Sequence, residues 1–163
     1  MKKIKNGLSF LFLAAAVGCV TSPQVIVNQP VGPDLAPPRV NLNKGQGRLV
    51  VYTATEVTDP ANAYFPTHSA YVIHTPDGRL VRRVDNRTGS FYQSPNPVLL
   101  PPGTYLVKGR ATNAGEVSVT VIIKENKTTV VHLEGANLPQ HKPTGAGQWI
   151  RLPDGQVIGM RFE

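Results

Sequence analysis

The side chains that could do chemistry here are one thiol, four imidazoles, ten scattered carboxylates, a few loop aromatics and a cluster of guanidinium groups. Cys19 is the single cysteine in 163 residues, so it cannot close an internal disulfide and is open to modification. It follows Lys2, Lys3 and Lys5, the mostly apolar run Leu8 to Val17, and Gly18. A cationic start, a short greasy run and a small residue are the parts of a secretory signal. The run is about half the roughly 20 residues that a bilayer-spanning helix needs, which favours a signal over a spanning anchor.

The other reactive types are less organised. His68, His74, His132 and His141 include no His-x-His or His-x-x-x-His pair, so no local zinc set exists and no metal is expected. Ser69, Ser90, Ser94 and Ser118 lack the Gly-x-Ser-x-Gly setting that exposes a nucleophile on a strained turn. No two carboxylates pair in sequence. Asp59 and Asp85 could meet only through folding, which leaves a hydrolase assembled from distant residues as one reading. No catalytic residue and no cofactor is assigned.

The loops carry more. Tyr64 and Phe65 lie between Glu56 and His68, and Phe91 and Tyr92 lie between Asp85 and Asn96. Rings held on loops can stack on sugar faces, with Asn62, Asn86 and Gln93 binding hydroxyls. Alternatively, the rings fold down and plug the ends of the domain. Arg79, Arg82, Arg83 and Arg87 form the densest basic cluster. On a regular strand Arg79 and Arg83 share a face and Arg82 points away. Such a strand suits an acidic polymer or lipid head groups, or is simply an edge kept soluble by charge. The candidate ligand-binding residues are therefore Tyr64, Phe65, Phe91, Tyr92, Arg79 and Arg83. Asn86-Arg87-Thr88 and Asn126-Lys127-Thr128 match the glycosylation acceptor pattern. Both are read as chance matches.

Ala16-Val17-Gly18-Cys19 resembles the lipobox of bacterial lipoproteins. Val17 and Gly18 match the pattern, and Ala16 stands where the family prefers Leu. The resemblance implies cleavage before Cys19, a diacylglycerol thioether on its sulfur and an acyl group on its amine. Two or more lipid chains give stable membrane anchoring, where one does not. It also implies a bacterial cell-envelope address. Val20 follows the cysteine, and Asp, which favours inner-membrane retention in Gram-negative lipoproteins, is absent there. An outer membrane is favoured if the organism has one.

Composition agrees with export. Three of the net seven positive charges sit in the signal, which leaves four on the mature chain. A high isoelectric point often signals nucleic acid, but an exported chain does not meet it. Membrane lipid, polysaccharide, cell-wall polymer or another envelope protein are the expected partners. Residues 1–18 read as the signal and 19–47 as a tether. Pro23, Pro30, Pro33, Pro37 and Pro38 discourage regular structure there, although Gln24 to Val27 could pair as a strand.

From Arg48 short β-rich runs alternate with turn residues. Seven strands are expected within 48–135: Leu49–Thr55, Ser69–His74, Arg79–Val84, Pro97–Leu100, Thr104–Thr112, Glu116–Lys124 and Lys127–Glu134. Thr75-Pro76-Asp77-Gly78 joins the second to the third as a tight turn. Alternation sets Tyr105, Val107, Gly109 and Ala111 inward, with Lys108 and Arg110 outward. It does the same for Val117, Val119, Val121 and Ile123. One greasy and one wet face per strand suits a two-layer antiparallel sandwich. Residues 136–163 read as a polar linker and a hairpin, Gln148 to Leu152 and Gln156 to Phe162, turning at Pro153-Asp154-Gly155. A lone hairpin is marginal in water, so it should dock or await a partner.

Ser69 to Arg82, followed by Val98-Leu99-Leu100-Pro101-Pro102-Gly103-Thr104-Tyr105, resembles the carboxypeptidase regulatory-like or prealbumin-like β-sandwich domains. Those modules carry a strand, an apolar-Pro-x-Gly-x-Tyr turn and a core strand. The fold expected is all-β: a seven-strand antiparallel β-sandwich of prealbumin-like or immunoglobulin-like type plus a C-terminal β-hairpin. The resemblance covers about Arg48 to Gly135 and says little about function. The expected role is structural, adhesive or accessory binding without catalysis.

Overall fold

The computed structural model describes residues 24–34, 45–56, 67–86, 95–135 and 148–161. Among these there is no helix. The strands are β1 (Val25–Val31), β2 (Gly47–Tyr52), β3 (Thr55–Glu56), β4 (Thr67–His68), β5 (Tyr71–His74) and β6 (Leu80–Val84). They continue as β7 (Val98–Leu100), β8 (Gly103–Ala111), β9 (Gly115–Ile123), β10 (Thr128–His132), β11 (Gln148–Arg151) and β12 (Val157–Arg161). All seven expected runs form strands, β2 and β5 to β10. The hairpin forms as β11 and β12. With the hairpin nine strands are expected, and twelve are found among the described residues, the additional ones being β1, β3 and β4.

Two main sheets share one core. The larger has the order β1-β9-β8-β5-β6 and the smaller β10-β2-β7. Alternation drives the burial. Val107, Ala111, Val117, Val119, Val121 and Ile123 are sealed against Leu49, Val51, Val98, Leu100 and Val131 of the smaller sheet. Lys124 and Arg110 are exposed, as the pattern requires. The turn that carries the family resemblance is closed by the Tyr105 hydroxyl donating to the Pro101 carbonyl at 3.0 Å.

Two expectations change. The sandwich is not purely antiparallel: β1 runs parallel to β9, and β10 parallel to β2. Nor is 19–47 a tether throughout, because Val25–Val31 is the edge strand of the larger sheet, with Val31 fully buried. Its proline is tolerated because an edge strand has a side free of ladder bonds. Beyond β1 the chain changes sheets. Pro33 bridges to Thr129 of β10, and the Asp34 amide donates to the Thr128 carbonyl at 2.7 Å.

The C-terminal hairpin packs on the side closed by β1 and β10. Ile150, Leu152 and Ile158 join the same core. The Gly32 amide donates to the Met160 carbonyl at 2.7 Å, and Gln156 Nε2 donates to the His132 carbonyl at 3.0 Å. Gly159 has no side chain for a physical reason: a Cβ there would lie 2.5 Å from Val31 Cγ1.

Registers define the two ends of the domain. Val25 pairs with Val117, beside the β8–β9 turn at Thr112–Ala114. The Thr112 hydroxyl donates to the Glu134 carbonyl at 2.7 Å, which brings the end of β10 to the same place. We call this the Val25 end. The β5–β6 turn at Thr75–Gly78 lies at the other, because His74 pairs with Leu106.

Candidate functional site

The Val25 end gathers most of the buried polar groups. Asn86 is fully buried. Its Nδ2 donates to the Val51 carbonyl at 2.8 Å and to Thr53 Oγ1 at 3.3 Å, and its Oδ1 accepts from the Asn96 amide at 3.0 Å. The Thr53 hydroxyl donates to the Ser69 carbonyl at 2.6 Å, and His68 Nδ1 lies 2.6 Å from the Thr53 carbonyl. Four chain segments are pinned by this network. Buried polar groups need such partners, since each one left unmet costs about 1–3 kcal/mol. Asn86 is thus structural, which corrects its reading as a sugar ligand and closes it to glycosylation in the folded chain.

An ionisable pair lies beside it. His132 Nδ1 is 2.9 Å from Glu134 Oε1, and both side chains are largely buried, at 14% and 6% exposure. The imidazole stacks on the Tyr52 ring, with centroids 4.9 Å apart and planes 8° from parallel. His68 meets the same ring edge-on at 5.7 Å. Burial first, and then the Glu134 charge, push the Tyr52 hydroxyl above its ordinary pKa, while Arg48 opposes them. Glu134 Oε2 has no hydrogen-bond partner among the described residues. Glu134 orients His132 toward an aromatic face rather than toward a hydroxyl or thiol. Among the described residues no three His, Cys, Asp or Glu side chains converge as metal ligands.

The expected site residues divide. Cys19, Tyr64, Phe65, Phe91 and Tyr92 lie outside the described residues, as do Asp59 and Arg87. The segments that carry the four rings nevertheless have roots close together. Thr55 and Glu56 pair with His68 and Thr67, and Asn86 links to Thr53. Arg79 and Arg83 are exposed, and β6 is an edge strand of the larger sheet. Their shared face is corrected. Arg82 pairs with Ile73, but Leu80 pairs with His74, so Val81 is an extra residue. One inserted residue reverses the alternation beyond it. Arg79 therefore falls in phase with Arg82 and not with Arg83. A bulged, arginine-rich strand is also poorly shaped to accept another strand.

A cleft of about 320 Å³ opens at the same end, between the β8–β9 turn and the tip of the hairpin. It is lined by Asn113, Gly135, Arg151, Asp154, Gln156 and Val157 among others. Sequence reading missed this cleft and the Asn86 network, because their members come from separate stretches of the chain, with network bonds spanning 10 to 35 residues, and no local spacing signals them. No family model, no characterised protein and no solved structure matches the chain.

Proposed function

We propose that this chain is a lipid-anchored lipoprotein of the bacterial envelope, whose β-sandwich of prealbumin-like type has a structural, adhesive or accessory-binding role without catalysis. The observation that carries the reading is the short distance from thiol to fold. The lipobox-like Ala16-Val17-Gly18-Cys19 is followed within six residues by Val25, the first residue of a core strand. Fully extended, those six steps reach about 20 Å. A thiol so placed moors the domain close against a bilayer. The fold type is supported by the Tyr105–Pro101 turn at 3.0 Å and by the two-sheet core. Labelled palmitate should enter the wild-type protein and not Cys19→Ser, and Cys19→Ser should leave the membrane fraction or stay unprocessed. Equal labelling of the two would end the reading.

A second reading is a carbohydrate or cell-wall contact. It is favoured by the meeting of the two loop roots at Thr53 and Asn86. Tyr64→Ala and Phe91→Ala should then abolish glycan-array binding, and unchanged binding would count against it.

A further inference from the structure

The cleft at the Val25 end is lined by groups of both charges, Arg151 and Asp154. Its volume of about 320 Å³ lies at the lower end of the range for small-molecule sites. Arg151 contributes a guanidinium, one NH of which donates to the Gly155 carbonyl at 2.8 Å. Among the described residues the rest of its five-donor fork makes no hydrogen bond. Asp154 supplies an exposed carboxylate, with Oδ1 accepting the Gln156 amide at 3.0 Å. Gln156 spends its Nε2 on the His132 carbonyl, while its Oε1 is buried with no partner among the described residues. One wall thus presents a cation and an anion. The complement is a small group with a negative and a positive end.

The position of the cleft says where such a group would come from. β1 starts at this end, and the chain from Cys19 to Val25 reaches about 20 Å at most. An acyl anchor on Cys19 therefore keeps this end within reach of the head-group layer. We propose that the cleft holds the zwitterionic phosphoethanolamine head group of a membrane phospholipid, with Arg151 on the phosphodiester and Asp154 on the ammonium. Guanidinium forks match phosphate geometry and form strong charge-assisted bonds. The orientation rests on the reading of Cys19 as the anchor; the chemistry of the cleft does not.

The test uses the full chain in a phosphate-free detergent, titrated with glycerophosphoethanolamine and followed through the backbone amides of Asn113, Gly155 and Gln156. Saturable shifts are expected. Arg151→Gln should weaken binding about tenfold or more, and Lys124→Gln, an exposed cation at the opposite end, should leave it unchanged. Glycerophosphate and inorganic phosphate should bind more weakly, and Asp154→Asn should erase the advantage over glycerophosphate. No saturable shift in a normally folded chain overturns the proposal. So does wild-type affinity in Arg151→Gln, or inorganic phosphate binding as well as the head group. Binding without palmitate incorporation would keep the head-group cleft and remove the anchor; palmitate incorporation without binding would do the reverse.

Discussion

Asn86→Ala is expected to be among the most damaging polar substitutions in the domain. The side chain is fully buried and makes two short bonds, to the Val51 carbonyl at 2.8 Å and from the Asn96 amide at 3.0 Å. Alanine leaves both main-chain groups unmet, at about 1–3 kcal/mol each. The longer 3.3 Å contact to Thr53 Oγ1 adds little. The expected loss is about 3 kcal/mol, which for a domain of this size lowers Tm by roughly 10 °C. Urea and thermal melts followed by far-UV circular dichroism would measure it. Asn86→Asp sharpens the test. A carboxylate cannot donate to Val51, and its charge is costly in a buried site, so its pKa should rise. Protonation restores a donor. Its stability relative to wild type should therefore recover as pH falls through that raised pKa. A Tm for Asn86→Ala within about 2 °C of wild type would show that the network does not hold these segments and would refute the reasoning.

Two further outcomes follow from packing and burial. Gly159→Ala should cost about 1–3 kcal/mol through overpacking against Val31, and should speed tryptic cleavage at Arg151. Val31→Ala should relieve part of that cost, so additive losses in the double variant would argue against the contact. Burial pushes the Tyr71 hydroxyl well above its ordinary 10.0, with Arg82 opposing, and raises Tyr52 as well. The folded state then keeps protons that the unfolded state releases. Stability from this source is complete below pH 10 and falls as pH rises above it toward the folded values. The Tyr71 hydroxyl has no hydrogen-bond partner among the described residues, so Tyr71→Phe should be neutral or stabilising at pH 7 and flatten the alkaline decline. Urea midpoints between pH 8 and 11 would decide, and an unchanged alkaline slope in Tyr71→Phe would contradict it.

Local pattern made the strands legible. Val117, Val119, Val121 and Ile123 recur at every second position, and all four are sealed in the core. The β1 segment was harder, because Asn28, Gln29 and Pro30 interrupt its alternation and a register slip between Val27 and Val31 breaks its ladder. Arg79 and Arg83 misled for a related reason: strand alternation holds only while no residue is inserted, and Val81 is such a residue. The docked hairpin was foreshadowed by its apolar content, but its seat was not, since that depends on Gly32 and Val31 lying beside Met160 and Gly159.

The all-β character, the inward faces of the long strands and a lone thiol in a lipobox-like setting can be read from local pattern, because each depends on residues that are close neighbours along the chain. Tertiary structure alone decided the parallel pairings, the entry of β1 into the core, the burial of Asn86 and the charged cleft at the Val25 end. These depend on which distant segments share a sheet edge, and that is settled by the competition to bury apolar faces and satisfy main-chain groups across the whole domain, not by spacing in any one stretch.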